Sequence, residues 1–139
     1  MDPYLFLKSL HGMLAILGLA GLAHPCLLLR PGKPPPIAHR RMIALSTVAV
    51  LLTLGIGSWI YPAYRLDVKP GRLDGAPLGA SLFETKEHLA FFVGALVLAG
   101  AVMAWHGLAE GRRCLRLGLI LMGVTWGLGL GIGAIPRLY

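Results

Sequence analysis

The chain has 139 residues, of which 56% are hydrophobic and 14% charged, and its formal net charge is +7. A soluble domain typically carries about 25% charged residues, so this composition excludes a water-facing globule. The cations stand in short breaks between long apolar runs, which is how a membrane protein places them, and a nucleic-acid partner is not expected.

The length allows one domain, and the apolar runs predict an all-α membrane protein of four transmembrane helices with spans of about 4–29, 42–62, 82–109 and 115–136. About 20 helical residues cross the hydrocarbon of a bilayer. Backbone groups in lipid must pair within their own segment, which favours helices over isolated strands. Before the first span, Asp2-Pro3 reads as an N-cap followed by proline at the first helical position. The N-terminus lacks a basic region ahead of its apolar run and does not read as a cleavable signal. Pro25 is expected to disturb the end of this helix.

The connection 30–41 holds Arg30, Lys33, Arg40 and Arg41 with no acid, and its Pro34-Pro35-Pro36 reads as a stiff turn. The second span carries no charge. Connection 63–81 is long, and its Pro70, Gly71, Gly75, Pro77 and Gly79 argue against helix. Ser81-Leu82-Phe83-Glu84 fits a capping box, which predicts a third helix from near Leu82. Connection 110–116 adds Arg112, Arg113 and Arg116. The short connections favour an up-down-up-down bundle. The positive-inside rule puts 30–41 and 110–116 in the cytoplasm and both termini outside, as in a multi-pass protein of a bacterial-type cytoplasmic (inner) membrane.

Ionisable groups inside membrane spans are rare and usually functional. His11 and His24 fall on the first span, and His88 and His106 on the third. His11 lies three residues after Lys8 and His88 two after Lys86, while His24 and His106 each precede an arginine by six. In an up-down bundle the first and third helices run the same way, so His11 and His88 share a depth near the outer face. His24 and His106 share one near the inner face. Two imidazoles facing across the bundle diagonal suit the two axial positions of a haem iron. Arg65, Lys69, Arg72 and Lys86 offer charges to its propionates, and Tyr61 and Tyr64 offer hydrogen bonds. Gly12, Gly18, Gly21, Gly94 and Gly100 are candidates to give a flat ring room.

Thirteen residues separate His11 from His24, about 20 Å along a helix, and eighteen separate His88 from His106, about 27 Å. The unequal spacing fits one haem better than two, and leaves His24 and His106 as the alternative second haem or metal site. This pattern of facing histidines in four spans resembles the membrane-embedded b-type cytochromes. The resemblance implies haem b held by two histidines, with no open iron position, and electron transport as the activity. Tyr61-Pro62-Ala63-Tyr64-Arg65 and Leu82-Phe83-Glu84-Thr85-Lys86-Glu87-His88 stand out as further motifs without an attached function.

The expected role is an electron-transfer protein, more than a catalyst on its own. It would work between a quinol or quinone, or a partner complex, and the outer side of the lipid bilayer. The alternatives are a cofactor-free structural accessory subunit of a larger respiratory or photosynthetic membrane complex, and a metal-handling membrane protein. A soft-metal set from His24, Cys26, His39, His106 and Cys114 has no close Cys pair to support it. Trp59, Tyr61, Tyr64, Trp105 and Tyr139 fit an aromatic belt at the span ends. Gly123, Gly127 and Gly131 form a small-residue stripe suited to packing inside the bundle or against another subunit. No phosphate-binding glycine motif, nucleophile elbow or HExxH is present.

Overall fold

A computed structural model describes residues 2–30, 33–68 and 77–134. It contains α1 (Pro3–Leu28), α2 (Ile37–Ala63), a π-helical turn (Tyr64–Val68), α3 (Pro77–Trp105) and α4 (Ala109–Ala134). All four α-helices are long and apolar enough to cross a membrane.

The helix ends follow from local chemistry. Asp2 caps α1 by accepting from the Tyr4 amide at 3.0 Å, with Pro3 at the first helical position. α1 continues through Pro25 to Leu28, so the proline ends nothing; it is buried, and its carbonyl accepts from the Leu29 amide at 2.8 Å. α2 begins at Ile37, directly after the prolines and five residues ahead of the expected start, which brings His39 and Arg40 onto its first turns. α3 begins at Pro77, so the expected capping box is not the start. Ser81 lies inside the helix, where its carbonyl accepts from Thr85 Oγ1 at 2.8 Å. Pro77 and Gly79 are therefore helical, against expectation, because proline is tolerated in a first turn. Pro70, Gly71 and Gly75 lie outside the described residues.

α3 stops at Trp105, earlier than expected, for a reason visible in the backbone. Gly107 has φ +76°, Leu108 N donates to Met103 O at 2.9 Å, and Gly107 N donates to Ala104 O at 3.0 Å. This pair of bonds around a left-handed glycine is the Schellman helix stop. α4 follows at once, so Arg112, Arg113 and Arg116 lie on its opening turns and not in a loop.

Helix packing is closest between α1 and α2 and between α3 and α4, with thinner contacts joining α2 to α3 and α1 to α4. The core that these contacts enclose contains Leu22, Cys26, Ile43, Val50, Val93, Val97, Leu115 and Met122. Glycines make the close approaches. A Cβ at Gly18 would meet Val50 at 2.9 Å and Met122 at 3.0 Å, and one at Gly100 would meet the Leu115 amide at 2.8 Å. Gly21 accommodates Ser46, and Gly94 accommodates Leu54. Most of these glycines thus serve helix contact. Of the five proposed to make room, only Gly12 has no atom within 4 Å of the space a Cβ would occupy.

The outer surface is inverted relative to a water-soluble protein. Leu45 is 72% exposed, Trp59 78% and Leu27 73%, with Phe91 and Phe92 also exposed. Thr47, Thr53 and Thr125 bond back to their own helices, Thr47 to Ile43 O at 2.7 Å, which lowers the cost of placing these hydroxyls in an apolar interior. Gly123, Gly127 and Gly131 have nothing within 4 Å, so the described residues supply no partner for that stripe.

Candidate functional site

The thin contacts between α2 and α3 and between α1 and α4 leave space at the end of the molecule formed by the N-terminal halves of α1 and α3. A cavity of about 490 Å³ opens there, lined by Tyr4, Lys8 and His11 of α1, Thr53, Gly57 and Tyr61 of α2, Tyr64, and Phe83, Lys86, Glu87 and His88 of α3. An adjoining cavity of about 410 Å³ shares Lys8, His11, Thr53, Leu54, Lys86 and Ala90 with it and extends along Gly12, Ala15, Val93 and Met122 toward Trp126 of α4. The two lobes therefore combine a mouth rich in polar side chains with an apolar interior. Each volume lies within the roughly 300–1,000 Å³ of small-molecule and cofactor sites.

Of the four histidines singled out from the sequence, His11 and His88 line the first lobe. The half-buried His11 places Nδ1 2.9 Å from the Thr53 carbonyl on α2. His88, more exposed, places Nδ1 2.7 Å from the Glu84 carbonyl one turn back on its own helix. A carbonyl oxygen only accepts, so Nδ1 carries the proton in each ring, and in the neutral ring Nε2 holds the free lone pair. Neither Nε2 has a hydrogen-bond partner among the described residues. This is the tautomer that metal-binding histidines adopt when a backbone carbonyl orients them.

Gly57 sets the position of His11. A Cβ there would lie 3.0 Å from His11 Cε1 and 3.4 Å from Nδ1, so the imidazole packs directly on the α2 backbone. Thr53 Oγ1 is engaged with Ala49 O at 2.8 Å, which leaves the Thr53 carbonyl as the group facing the ring. Neither Gly57 nor Thr53 stood out as a site residue in the sequence. Their spacing of four, one turn apart on the helix that faces His11, was the available signal.

The cavity mouth is built on Phe83. Tyr64 stacks on it with ring centroids 4.4 Å apart and Tyr61 with centroids 6.3 Å apart, and Lys86 Nζ lies 5.6 Å from its centre. Tyr61 and Tyr64 thus belong to the cavity and are not simply a belt. The π-helical turn that carries Tyr64 follows Pro62, whose missing amide loosens the last turn of α2. Lys86 is half-buried and lines both lobes. Arg65 is exposed and is not among the lining residues, so that assignment from sequence is not supported by its position. Lys69 and Arg72 lie outside the described residues.

At the opposite end the second histidine pair is not the one expected. The His24 ring lies 5.6 Å from that of His39, while His106 is exposed beyond the end of α3. Cys26 and Cys114 are free thiols. No cluster of three or more His, Cys, Asp or Glu able to hold a bare metal ion exists among the described residues, which leaves the soft-metal set without support. No protein-family model, curated protein or solved structure matches this chain.

Proposed function

We propose that this chain is a membrane-embedded b-type cytochrome, or the haem-bearing subunit of a larger complex, that passes electrons between a quinol or a partner complex and the outer side of a cytoplasmic membrane. One observation carries the reading. His11 and His88 come from different helices, line one cavity, and each has Nδ1 held by a backbone carbonyl with Nε2 left over. A bare metal site would need further ligands, whereas a haem supplies four nitrogens of its own and asks the protein for two imidazoles.

The bundle behind this reading is up-down-up-down. Close contacts pair Gly18 with Val50, Gly21 with Ser46, Gly100 with Leu115 and Gly118 with Val97, so partner numbers fall as residue numbers rise. Packing of α1 on α2, α2 on α3, α3 on α4 and α4 on α1, with Leu54 against Gly94 and Tyr61 against Phe83, supports α1 and α3 as diagonal partners with their N-termini at one end. The exposed apolar surface belongs in lipid. Cations of 30–41 and 110–116 then face the cytoplasm and the cavity faces outward.

In this arrangement each residue has a defined task. His11 and His88 would hold the haem iron, with Thr53 O and Glu84 O fixing ring orientation. Lys86, with Tyr64 beside it at the mouth, meets the propionates, and Gly12 and Ala15 keep the interior apolar and open. A haem held there would supply one-electron chemistry. Expression with haem supplementation tests this. The purified protein is expected to hold about one haem per chain on stoichiometric grounds. His11→Ala and His88→Ala are expected to lose it, and His24→Ala and His106→Ala to keep it. A protein that stays colourless under those conditions contradicts the reading.

A second reading, a cofactor-free accessory subunit, draws on the outward Gly123, Gly127 and Gly131, which leave a smooth face without a partner among the described residues. It is separated from the first by the same haem measurement.

A further inference from the structure

The end of the molecule away from the cavity carries an excess of cations over carboxylates. Segments 30–41 and 109–116 together hold Arg30, Lys33, Arg40, Arg41, Arg112, Arg113 and Arg116 against one carboxylate, Glu110. Three of these arginines face different situations. Arg40 is engaged, donating from Nε to Pro35 O at 3.0 Å and lying 5.2 Å over the Trp105 ring. Arg116 donates from Nε to Cys26 O at 3.1 Å, against the C-terminal carbonyl end of α1 where a cation is favoured.

Arg112 is the exception. It stands one turn before Arg116 on the same face of α4, is half-buried, and its Nε is enclosed without an acceptor among the described residues. It has no carboxylate partner among them either. A guanidinium drawn partly out of water without a counter-ion is costly, and an unsatisfied buried donor calls for an ion or a ligand. Arg113, its neighbour, is exposed and meets neither difficulty. Leu27, Leu28 and Leu117, within two residues of the Cys26–Arg116 contact that joins α1 to α4, are more than half exposed. An anion that settles at this seam therefore sits beside apolar side chains that favour acyl chains.

We propose that Arg112, with Arg116 behind it, binds the phosphate of an anionic phospholipid headgroup at the α1–α4 seam, while Leu27, Leu28 and Leu117 contact its acyl chains. The terminal guanidinium nitrogens meet the phosphate and its charge compensates the one held around the enclosed Nε. This rests on the membrane reading and is independent of the haem.

The test uses the full chain in vesicles of phosphatidylcholine with and without phosphatidylglycerol, followed by detergent extraction and analysis of the retained lipid. Phosphatidylglycerol is expected to be retained selectively and to raise the thermal midpoint. Arg112→Gln is expected to weaken retention about tenfold, the scale of one lost charge-assisted hydrogen bond. Arg112→Lys, which keeps the charge and protects folding, is expected to fall between. Arg113→Gln removes the same charge from an exposed position and is expected to leave retention within about twofold. Equal losses in Arg112→Gln and Arg113→Gln would reduce the effect to diffuse charge and overturn the site. An equal midpoint rise from inorganic phosphate without phosphatidylglycerol would assign the seam to a free anion and overturn the lipid. A protein that resists alkaline carbonate extraction yet shows no anionic-lipid preference would refute the seam and leave the membrane reading standing.

Discussion

Gly57→Ala separates a positioning role from a structural one. The new methyl would lie 3.0 Å from His11 Cε1, against a carbon–carbon optimum of about 3.5–4.0 Å, so the ring must withdraw by about 0.5 Å. Taken along the hydrogen bond, that movement stretches the 2.9 Å contact to Thr53 O to about 3.4 Å, beyond the usual N–H···O range. The lost bond costs about 1 kcal/mol. Alanine in place of glycine inside a helix returns about the same amount. Global stability is therefore expected to change little. The proposed haem site is not protected by that cancellation, because His11 has lost the carbonyl that orients it. Losing such an orienting partner typically weakens metal affinity by about tenfold or more. The assay is haem titration of the apo-protein in detergent, run beside a thermal melt. A variant with wild-type haem affinity would refute the positioning argument. A melt lowered by more than about 2 kcal/mol would refute the energy balance.

Three further outcomes follow from the same contacts. Lys86→Gln is expected to weaken haem retention about tenfold at low salt, the scale of one charge-assisted hydrogen bond, whereas Arg65→Gln, exposed and away from the lining, stays within about twofold; titration at two ionic strengths checks both. Gly107→Ala forces a Cβ into a left-handed turn and to 3.0 Å from Pro34 Cδ, and is expected to lower stability by about 1–2 kcal/mol, read as a drop in the thermal midpoint. Leu22→Ala, at a position with 0% exposure, is expected to cost about 2–5 kcal/mol in a reversible denaturation series while leaving the haem spectrum of the folded fraction unchanged.

Much of the fold was legible because the bilayer constraint acts on composition and length. Four apolar runs, the Asp2 cap and the proline turn before α2 follow from it and from local backbone chemistry. α2, α3 and α4 all begin earlier than expected, for one physical reason. The sequence offered Ser81 as a cap and Arg112 as a loop residue, but a helix that begins in or beyond a headgroup layer does not end where its apolar run ends. Gly107 was the stronger signal for the α3 stop, since only its left-handed φ permits the tight turn there.

The site was legible in part. The comparable distances of His11 and His88 from a lysine pointed to a shared depth, and both line one cavity together with Lys86 and Tyr64. Packing decided what counting could not. His24 lies beside His39, most of the glycines are taken up by neighbouring helices, and Phe83 is the centre of the mouth through contacts that no local motif announces.

Electron paramagnetic resonance of the oxidised, purified protein reports directly on whether two imidazoles from α1 and α3 share one iron. A low-spin ferric signal of bis-imidazole type, lost in both His11→Ala and His88→Ala, is the expected result. A high-spin signal with an open axial position, or a low-spin signal that survives either substitution, would contradict the pairing of these two histidines.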